Sequence, residues 1–321
     1  AYSPSPLTST SNDASSWAGS PENVKRATKA LDILESQELS SQLSVSIDST
    51  RLFMWGNSMG AFVTVATSAQ VGTRIKAAAY TAGGLSSGEY LPNDPAIAQI
   101  VEAPFLMLHA LNDGTVDPQA SRDWRDALKS YDKTYQLVFF TSGGHNMMHD
   151  PTYKPVIGEF LRAWFENPYP VLSGVSPISG NVGTSVNLSG SNFGSNPGNI
   201  GRVSFYKHVY STPASWTSNA ISATVPSGAA SGLVRAMVPQ GPVINSLLSS
   251  VEGGMRSSGI NFSVGGRPSL ADADGDGDVD GVDFAVWLKN YGQNLTGKIN
   301  GDFNNDSSIN INDFVIWISN Y

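Results

Sequence analysis

The stretch RLFMWGNSMGAF, residues 51–62, constrains the fold more than any other part of the chain. Arg51–Trp55 is short and apolar and reads as a strand. AFVTVATSAQ, Ala61–Gln70, reads as a helix of small residues. Between them Gly56-Asn57-Ser58-Met59-Gly60 fits G-x-S-x-G. In a chain so rich in glycine and serine the five residues alone mean little, and the flanks give them weight. A strand that turns sharply on glycines into a closely packed helix exposes its serine at the end of a sheet. The helix N-terminus favours negative charge beside it.

A serine hydroxyl needs a base to become a nucleophile, and the base needs an acid to orient it. Candidates for both follow in order. APFLMLHALNDGTVDP runs as an apolar strand, Pro104–His109, into a polar turn with Asp113 and Asp117. YQLVFFTSGGHNMMHD runs as a strand, Tyr135–Phe140, into a Gly-Gly turn and His145. Each candidate lies just past the C-terminal end of a strand, where parallel sheets gather their chemistry. Asp113, nearer its strand end, is the expected acid and Asp117 its rival. His109 and His149 are read as structural, and Met147 and Met148 as packing.

Residues from about 20 to 166 resemble the C-terminal half of a prolyl-oligopeptidase-type α/β-hydrolase, and are similar also to dienelactone-hydrolase-like esterases. RLFMWGNSMGAF, PFLMLHALNDGTVDPQAS and GGHN carry the resemblance. It implies Ser58 as nucleophile, Asp113 as acid and His145 as base, in a carboxylesterase or a serine peptidase. Asn57 stands where the family favours His or Gln, and Ala61 and Ala110 stand where it favours Gly. None of the three carries the chemistry.

In that family several strands precede the serine turn, and one oxyanion donor comes from an early loop. Here the first twenty residues are polar and rich in Ser and Pro. A helix then starts at Ser20-Pro21 and runs to about Gln37, with an apolar face of Val24, Ala27, Ala30, Leu31 and Leu34. The early strands and one donor are therefore expected to be missing, which leaves the backbone N–H of Met59. A half sheet would expose an edge. The reading adopted is a piece of a longer gene product, starting beyond any secretion signal. The alternative is a shortened fold that borrows a partner's surface.

From Leu172 to Val264 short β-type runs alternate with Gly, Ser, Pro and Asn turns, the pattern of a small sandwich. VSPISGNVGTSVNLSGSNFG and SWTSNAISATVPSGAASGLVRAMV resemble the opening and later strands of an immunoglobulin-like IPT/TIG domain. His208 and Trp216 are read as strand packing.

The tail repeats itself at a spacing of thirty residues. Asp272, Asp274, Asp276, Asp280 and Asp283 align with Asp302, Asn304, Asp306, Asn310 and Asp313. Phe284, Trp287, Asn290 and Tyr291 align with Phe314, Trp317, Asn320 and Tyr321. Each copy carries oxygen side chains at positions 1, 3, 5, 9 and 12 of a calcium-type loop, with a backbone carbonyl expected from Asp278 and Ser308 at position 7. Gly277 serves the sharp turn at position 6, and Ser307 replaces it in the second copy. The pair of loop–helix units resembles type I dockerin. That resemblance implies two structural calcium ions and a cohesin-like docking partner. Gly281, Val282, Ile311 and Asn312 depart from the family's usual contact residues, so the partner's identity does not follow.

The net charge of −8 disfavours nucleic acid as a partner. No apolar run is long enough to span a membrane. The chain has no cysteine, so disulfides and thiol chemistry are excluded. The sequence therefore reads as a three-part bacterial protein, secreted or on the cell surface. Residues 1–168 form an N-terminally incomplete α/β-hydrolase module, 169–265 an all-β sandwich, and 266–321 a small α-helical calcium-loop domain. The catalytic module is expected to use no cofactor and to cleave an ester or peptide substrate, polymeric if the site is open. The alternative is a non-catalytic scaffold with a vestigial hydrolase half.

Overall fold

The computed structural model describes residues 20–36, 38–87, 92–196, 200–242, 246–265, 271–275 and 279–321. The chain forms two compact units. One is built from the residues up to Tyr169 with Asn196–Ile200 and Val238–Met255, the other from Pro170–Ser195, Gly201–Met237 and Arg256–Tyr321.

In the first unit four parallel strands run side by side: β1 (Phe53–Asn57), β2 (Ala77–Thr81), β3 (Phe105–Ala110) and β4 (Tyr135–Phe140). The helices are α1 (Pro21–Glu35), α2 (Glu38–Leu43), α3 (Met59–Val71), α4 (Gln119–Ser130) and α5 (Lys154–Glu166). β3 and β4 are buried along their whole length because both sheet faces are covered. Phe105 and Met107 face a cluster with Leu31 of α1, Val65 of α3 and Trp124 and Leu128 of α4. Leu106 and Leu108 face the opposite cluster with Ile157, Phe160 and Trp164 of α5. The Trp164 indole N–H donates to the Ala78 carbonyl at 3.1 Å, so the largest ring on that side also satisfies its polar atom.

α1 starts as its sequence dictates. Ser20 caps it by accepting from the Asn23 N–H, Pro21 occupies the first turn, and Val24 and Leu31 are buried. Arg74 then ties α1 down through Asp32 at 2.7 Å and Glu35 at 2.8 Å. β1 begins and ends two residues later than its apolar run suggests. Gly56 and Asn57 continue the ladder, opposite Tyr80 and Thr81.

The sheet has a fifth member that the sequence pattern assigns elsewhere. Leu248–Gly253, expected in the 169–265 sandwich, pairs antiparallel with β4 instead. Leu248 and Met255 are buried in the α5-side cluster. Gln136 and Gln240 lock the incoming chain reciprocally: the Gln240 N–H donates to the Gln136 side chain at 2.7 Å, and the Gln136 amide donates to the Gln240 carbonyl at 2.7 Å. Glu252 accepts from the Tyr135 hydroxyl at 2.9 Å and pairs with Arg125. The edge of β4 is thus covered, which removes one aggregation-prone edge. Among the described residues β1 is the other outer strand of the sheet.

The second unit holds two antiparallel sheets. One orders Ser215–Trp216, Ala220–Thr224, Ser185–Ser191 and Val171–Ser176. The other runs through Ser179–Gly180, Ile260–Val264, Gly232–Val238, Arg202–Phe205 and Val209–Ser211, with Ser179–Gly180 paired in parallel. Ser185–Ser191 shows the period of two expected of a half-buried strand, with Val186 and Leu188 inside and Asn187 outside. Trp216 donates its indole N–H to the Phe193 carbonyl at 3.1 Å, and His208 meets the Tyr210 hydroxyl at 2.9 Å, so both have packing partners.

The tail in this unit reproduces its sequence repeat in three dimensions. α6 (Gly281–Asn290) and α7 (Ile311–Asn320) each begin with a capping box, from Asp280 and Asp283 and from Asn310 and Asp313. The Trp287 indole donates to the Asn310 carbonyl at 2.9 Å, and the Trp317 indole donates to the Asp280 carbonyl at 3.0 Å. Phe284 packs on Trp317 at 4.9 Å and Phe314 on Trp287 at 5.1 Å. Each contact has its image in the other copy, so the aromatic pairs repeat because they hold two equivalent halves together. Among the described residues no helix is long and apolar enough to cross a membrane.

Candidate active site

Ser58 sits between β1 and α3 with φ 54° and ψ −119°, a backbone conformation that a non-glycine residue rarely adopts. Such strain costs on the order of 1–3 kcal/mol and persists only where the surroundings enforce it. Here the Ser58 N–H donates to the Thr81 carbonyl at 3.0 Å, and Asn57 accepts from the Thr81 hydroxyl at 2.6 Å. Gly56 lets the helix close on the strand, since a Cβ there would overlap the Gly60 carbonyl. The turn thereby lifts the Ser58 side chain off the sheet and leaves the Met59 N–H in the first turn of α3, where such groups have no intrahelical acceptor.

The Ser58 hydroxyl lies 2.7 Å from His145 Nε2. His145 Nδ1 lies 2.9 Å from Asp113 Oδ2 and 3.1 Å from Oδ1. An ionised carboxylate only accepts, so Nδ1 carries the proton. Nε2 is then free to take the proton of Ser58. The sequence brings these three groups from the ends of β1, β3 and β4, whose parallel register places all three turns at one edge of the sheet.

Asp113 is buried. Burial is the largest single influence on its carboxyl and opposes ionisation. Hydrogen bonds from the Val116 N–H, His145 and the Thr115 N–H together outweigh it, and hold Asp113 below the usual carboxylate range. The two backbone donors both reach Oδ1, each at 2.9 Å. Asp117, the rival acid, is exposed and accepts from the Gln119 N–H at the start of α4. His149 is exposed, and Met147 is buried in the α5-side cluster as packing.

Three further residues shape the site without a sequence signal. Asn112 accepts from the Gly144 N–H at 2.9 Å and so fixes the loop that carries His145. Ser142 and Tyr153 share a hydrogen bond at the base of the same loop. His109, read as structural, lies 3.3 Å from Asp113 Oδ2.

The tail loops gather a second set of polar groups. One carboxylate oxygen from each of Asp272, Asp274 and Asp283 falls within 4.8 Å of the others. Asp272 and Asp283 are buried, as are Asp302 and Asp313 in the second copy. Three clustered carboxylates, two of them on buried residues, fit a hard cation. Asp276 and Asp278, with the Gly277 turn, lie outside the described residues. In the second copy Asp302 accepts from the Asp306 and Ser307 N–H groups, and Asn304 and Asp306 are joined at 2.8 Å. Ser307 has φ 67°, the left-handed value that suits glycine at this loop position. The Ser308 N–H donates to Asp306 at 2.9 Å. Asp280 and Asn310 use a side-chain oxygen to cap their helices, accepting from Val282 and Asn312.

Residues 85–169 match the model of the prolyl oligopeptidase family, and residues 170–264 match the IPT/TIG domain. The first match contains Asp113 and His145, and Ser58 lies ahead of it. Among solved structures the chain is similar to a Klebsiella pneumoniae protein assigned as a dienelactone hydrolase, at 22% identity over 44% of this chain and 62% of that one, with a TM-score of 0.37. It is similar to the Pyrococcus horikoshii acylaminoacyl peptidase at 19% identity over 46% of this chain and 28% of that one, with a TM-score of 0.37. It is also similar to a Mycobacterium tuberculosis puromycin-hydrolyzing peptidase at 21% identity over 46% and 25%, with a TM-score of 0.37. The chain thus spans less than two thirds of the length of each. No curated protein matches it. The chain therefore carries a hydrolase-like α/β region followed by a β-rich IPT/TIG domain.

Proposed function

We propose that the first unit is a serine hydrolase that cleaves carboxylic ester or peptide bonds through an acyl-enzyme. The observation that carries this reading is the continuous line from Ser58 through His145 to Asp113, starting at a strained serine. Ser58 Oγ attacks the acyl carbonyl carbon as its proton passes to His145 Nε2. The Met59 N–H faces the developing oxyanion. The C–O or C–N bond then breaks, and His145 returns the proton to the departing alcohol or amine. Water repeats the sequence on the acyl-enzyme and releases the acid. A fluorophosphonate probe should modify the chain at Ser58, read by peptide mass spectrometry, and Ser58→Ala should stay unmodified. Modification at a different serine, or none, overturns the assignment.

We propose further that the tail is a calcium-dependent docking module, in a protein that works outside the cell. The carboxylates of Asp272, Asp274 and Asp283 support the first loop as a site, with Asp276 and Asp278 as further oxygen donors. Ile311, Val315 and Ile318 recur on one face of α7 and are about half exposed, as are Val282 and Leu288 on α6. These residues offer an apolar surface to a cohesin-like partner. Isolated residues 266–321 should gain helical circular dichroism when calcium replaces chelator, because metal binding removes carboxylate repulsion and becomes folding free energy. Titration calorimetry should resolve two sites, the second weaker because Ser307 is strained. Magnesium should substitute poorly, since it demands a tighter octahedron. Identical spectra with calcium and with chelator would sink this reading.

A further inference from the structure

His145 projects from a loop whose own sequence leaves it loose. Gly143 and Gly144 come just before it, with φ 114° and 60°, and glycine has more backbone freedom to lose than any other residue. Upstream, the Ser142 hydroxyl shares a hydrogen bond with the Tyr153 hydroxyl, and downstream Met147 is buried. A Cβ on Gly143 would come within 2.9 Å of the Met147 Cβ and 3.1 Å of the Tyr153 ring, so contact alone demands glycine there. A Cβ on Gly144 would meet nothing within 4 Å, so only its left-handed φ favours glycine. In that conformation the Gly144 N–H donates to Asn112 Oδ1 at 2.9 Å, across 32 residues of chain. An asparagine in a turn commonly accepts from a backbone N–H two residues on. Asp113 takes that part here, with Oδ1 on the Thr115 and Val116 N–H groups. The Asn112 oxygen is turned instead to the loop after β4.

We propose that Asn112 is a positioning residue for His145: its side-chain oxygen holds the Gly144 amide, and with it the backbone from which the imidazole projects. The proposal rests on the serine-hydrolase reading. Adjacent residues of one turn then hold the base at two points. Asp113 Oδ2 orients the ring through Nδ1 at 2.9 Å. Asn112 fixes the backbone one residue before the ring. A ring held at Nδ1 alone can still pivot about that bond and carry Nε2 away from Ser58, which lies 2.7 Å from it. Holding Gly144 as well opposes the pivot. Because Asn112 and Asp113 share a turn, the two holding points also keep a fixed spacing. A neutral amide suits this place, since a carboxylate at 112 would set a second negative charge next to Asp113.

The test uses the full chain, p-nitrophenyl acetate turnover and hydrogen exchange of the Gly144 amide read by NMR. Asn112→Ala removes the acceptor. It should lower kcat on the order of tenfold with KM little changed. That is less than the hundredfold a 1 Å misplacement can cost, because His145 keeps its bond to Asp113. Gly144 exchange should quicken about fivefold, the equivalent of one net hydrogen bond. Asn112→Asp keeps an oxygen in place and should restore both the slow exchange and most of kcat. Turnover is read on the alkaline plateau, where His145 is deprotonated in every variant, so the added charge does not enter the comparison. Asn112 is exposed, and thermal unfolding of both variants should match the parent. Parental kcat in Asn112→Ala overturns the proposal, and so does unchanged Gly144 exchange. A loss in Asn112→Asp as large as in Asn112→Ala overturns it too, because the acceptor is then not what matters. If the parent shows neither turnover nor fluorophosphonate labelling, the hydrolase reading fails. Gly144 exchange still decides whether Asn112 holds the loop.

Discussion

Asp113→Asn should lower kcat about 10⁴-fold, the size of loss seen when the acid of the best-studied triad becomes an amide, whereas Asp117→Asn should stay near the parental rate. The direction follows from the partners of the two carboxylate oxygens. Oδ1 accepts from the Thr115 and Val116 N–H groups, so an asparagine must keep its carbonyl oxygen there. Its NH₂ group then stands at the Oδ2 position, facing His145 Nδ1. A donor at that point requires Nδ1 to accept, which moves the imidazole proton to Nε2. Nε2 can no longer take the proton of Ser58. Substrate affinity should change little, since the exchange alters no volume. Asp117→Asn leaves an acceptor for the Gln119 N–H in place. Initial rates with p-nitrophenyl acetate decide between the two acids: a larger loss for Asp117→Asn than for Asp113→Asn reverses the assignment.

A chain ending at Tyr169 should fail to hold the hydrolase-like fold, although it keeps Ser58, Asp113 and His145. Truncation removes the strand Leu248–Gly253 and reopens the edge of β4. It also removes Leu248 and Met255 from the α5-side cluster and uncovers their neighbours. Fully burying a side chain of this size contributes roughly 1.5–3 kcal/mol. With the partly buried Leu247 and Val251 the loss reaches about 5 kcal/mol, as large as the whole net stability of many domains. Gln136 would be left with its amide and carbonyl unmatched in a buried position, a further cost of about 1–3 kcal/mol. A milder test in the full chain is Ser250→Pro. Ser250 lies opposite Phe139, two residues along from Glu252 and four from Gly254, whose N–H donates to the Tyr135 carbonyl. By the alternation of an antiparallel ladder the Ser250 N–H also points at β4, and proline has no N–H to offer. Ser250→Ala is the control. Thermal unfolding followed by circular dichroism should show a clear drop for proline and almost none for alanine. A cooperative, soluble, parent-like unfolding transition in the chain ending at Tyr169 would show that the strand is dispensable.

The hydrolase-like region was legible because its signals are local. Gly56 and Gly60 flank Ser58 in a strand–turn–helix whose type is set within a dozen residues, and β3 and β4 announce themselves as unbroken apolar runs. Parallel register then carries three turns to one sheet edge, so the order Ser58, Asp113, His145 was enough to name the groups the structure brings together. The boundaries of β1 were less legible, because Gly56 and Asn57 have no strand propensity and join the ladder only by pairing with Tyr80 and Thr81. The tail repeat was legible for a different reason. Identical contacts in two copies require identical residues, and Trp287 and Trp317 keep their spacing because each donates to the other copy's loop.

The sequence by itself determined the elements, the repeat and the candidate triad, since all three depend on neighbours along the chain. The tertiary structure alone decided two things. Leu248–Gly253 has the composition of any short strand, and nothing local distinguishes the edge of β4 from a sandwich edge as its partner; the choice is made by Gln240, Glu252 and the apolar pocket above α5, all distant from β4 in sequence. His109 likewise reads as one more buried residue at a strand end. Only the fold brings Ser121 to its Nδ1 and the Val116 carbonyl to its Nε2, and a buried side chain satisfied by partners from separate elements leaves no trace in spacing alone.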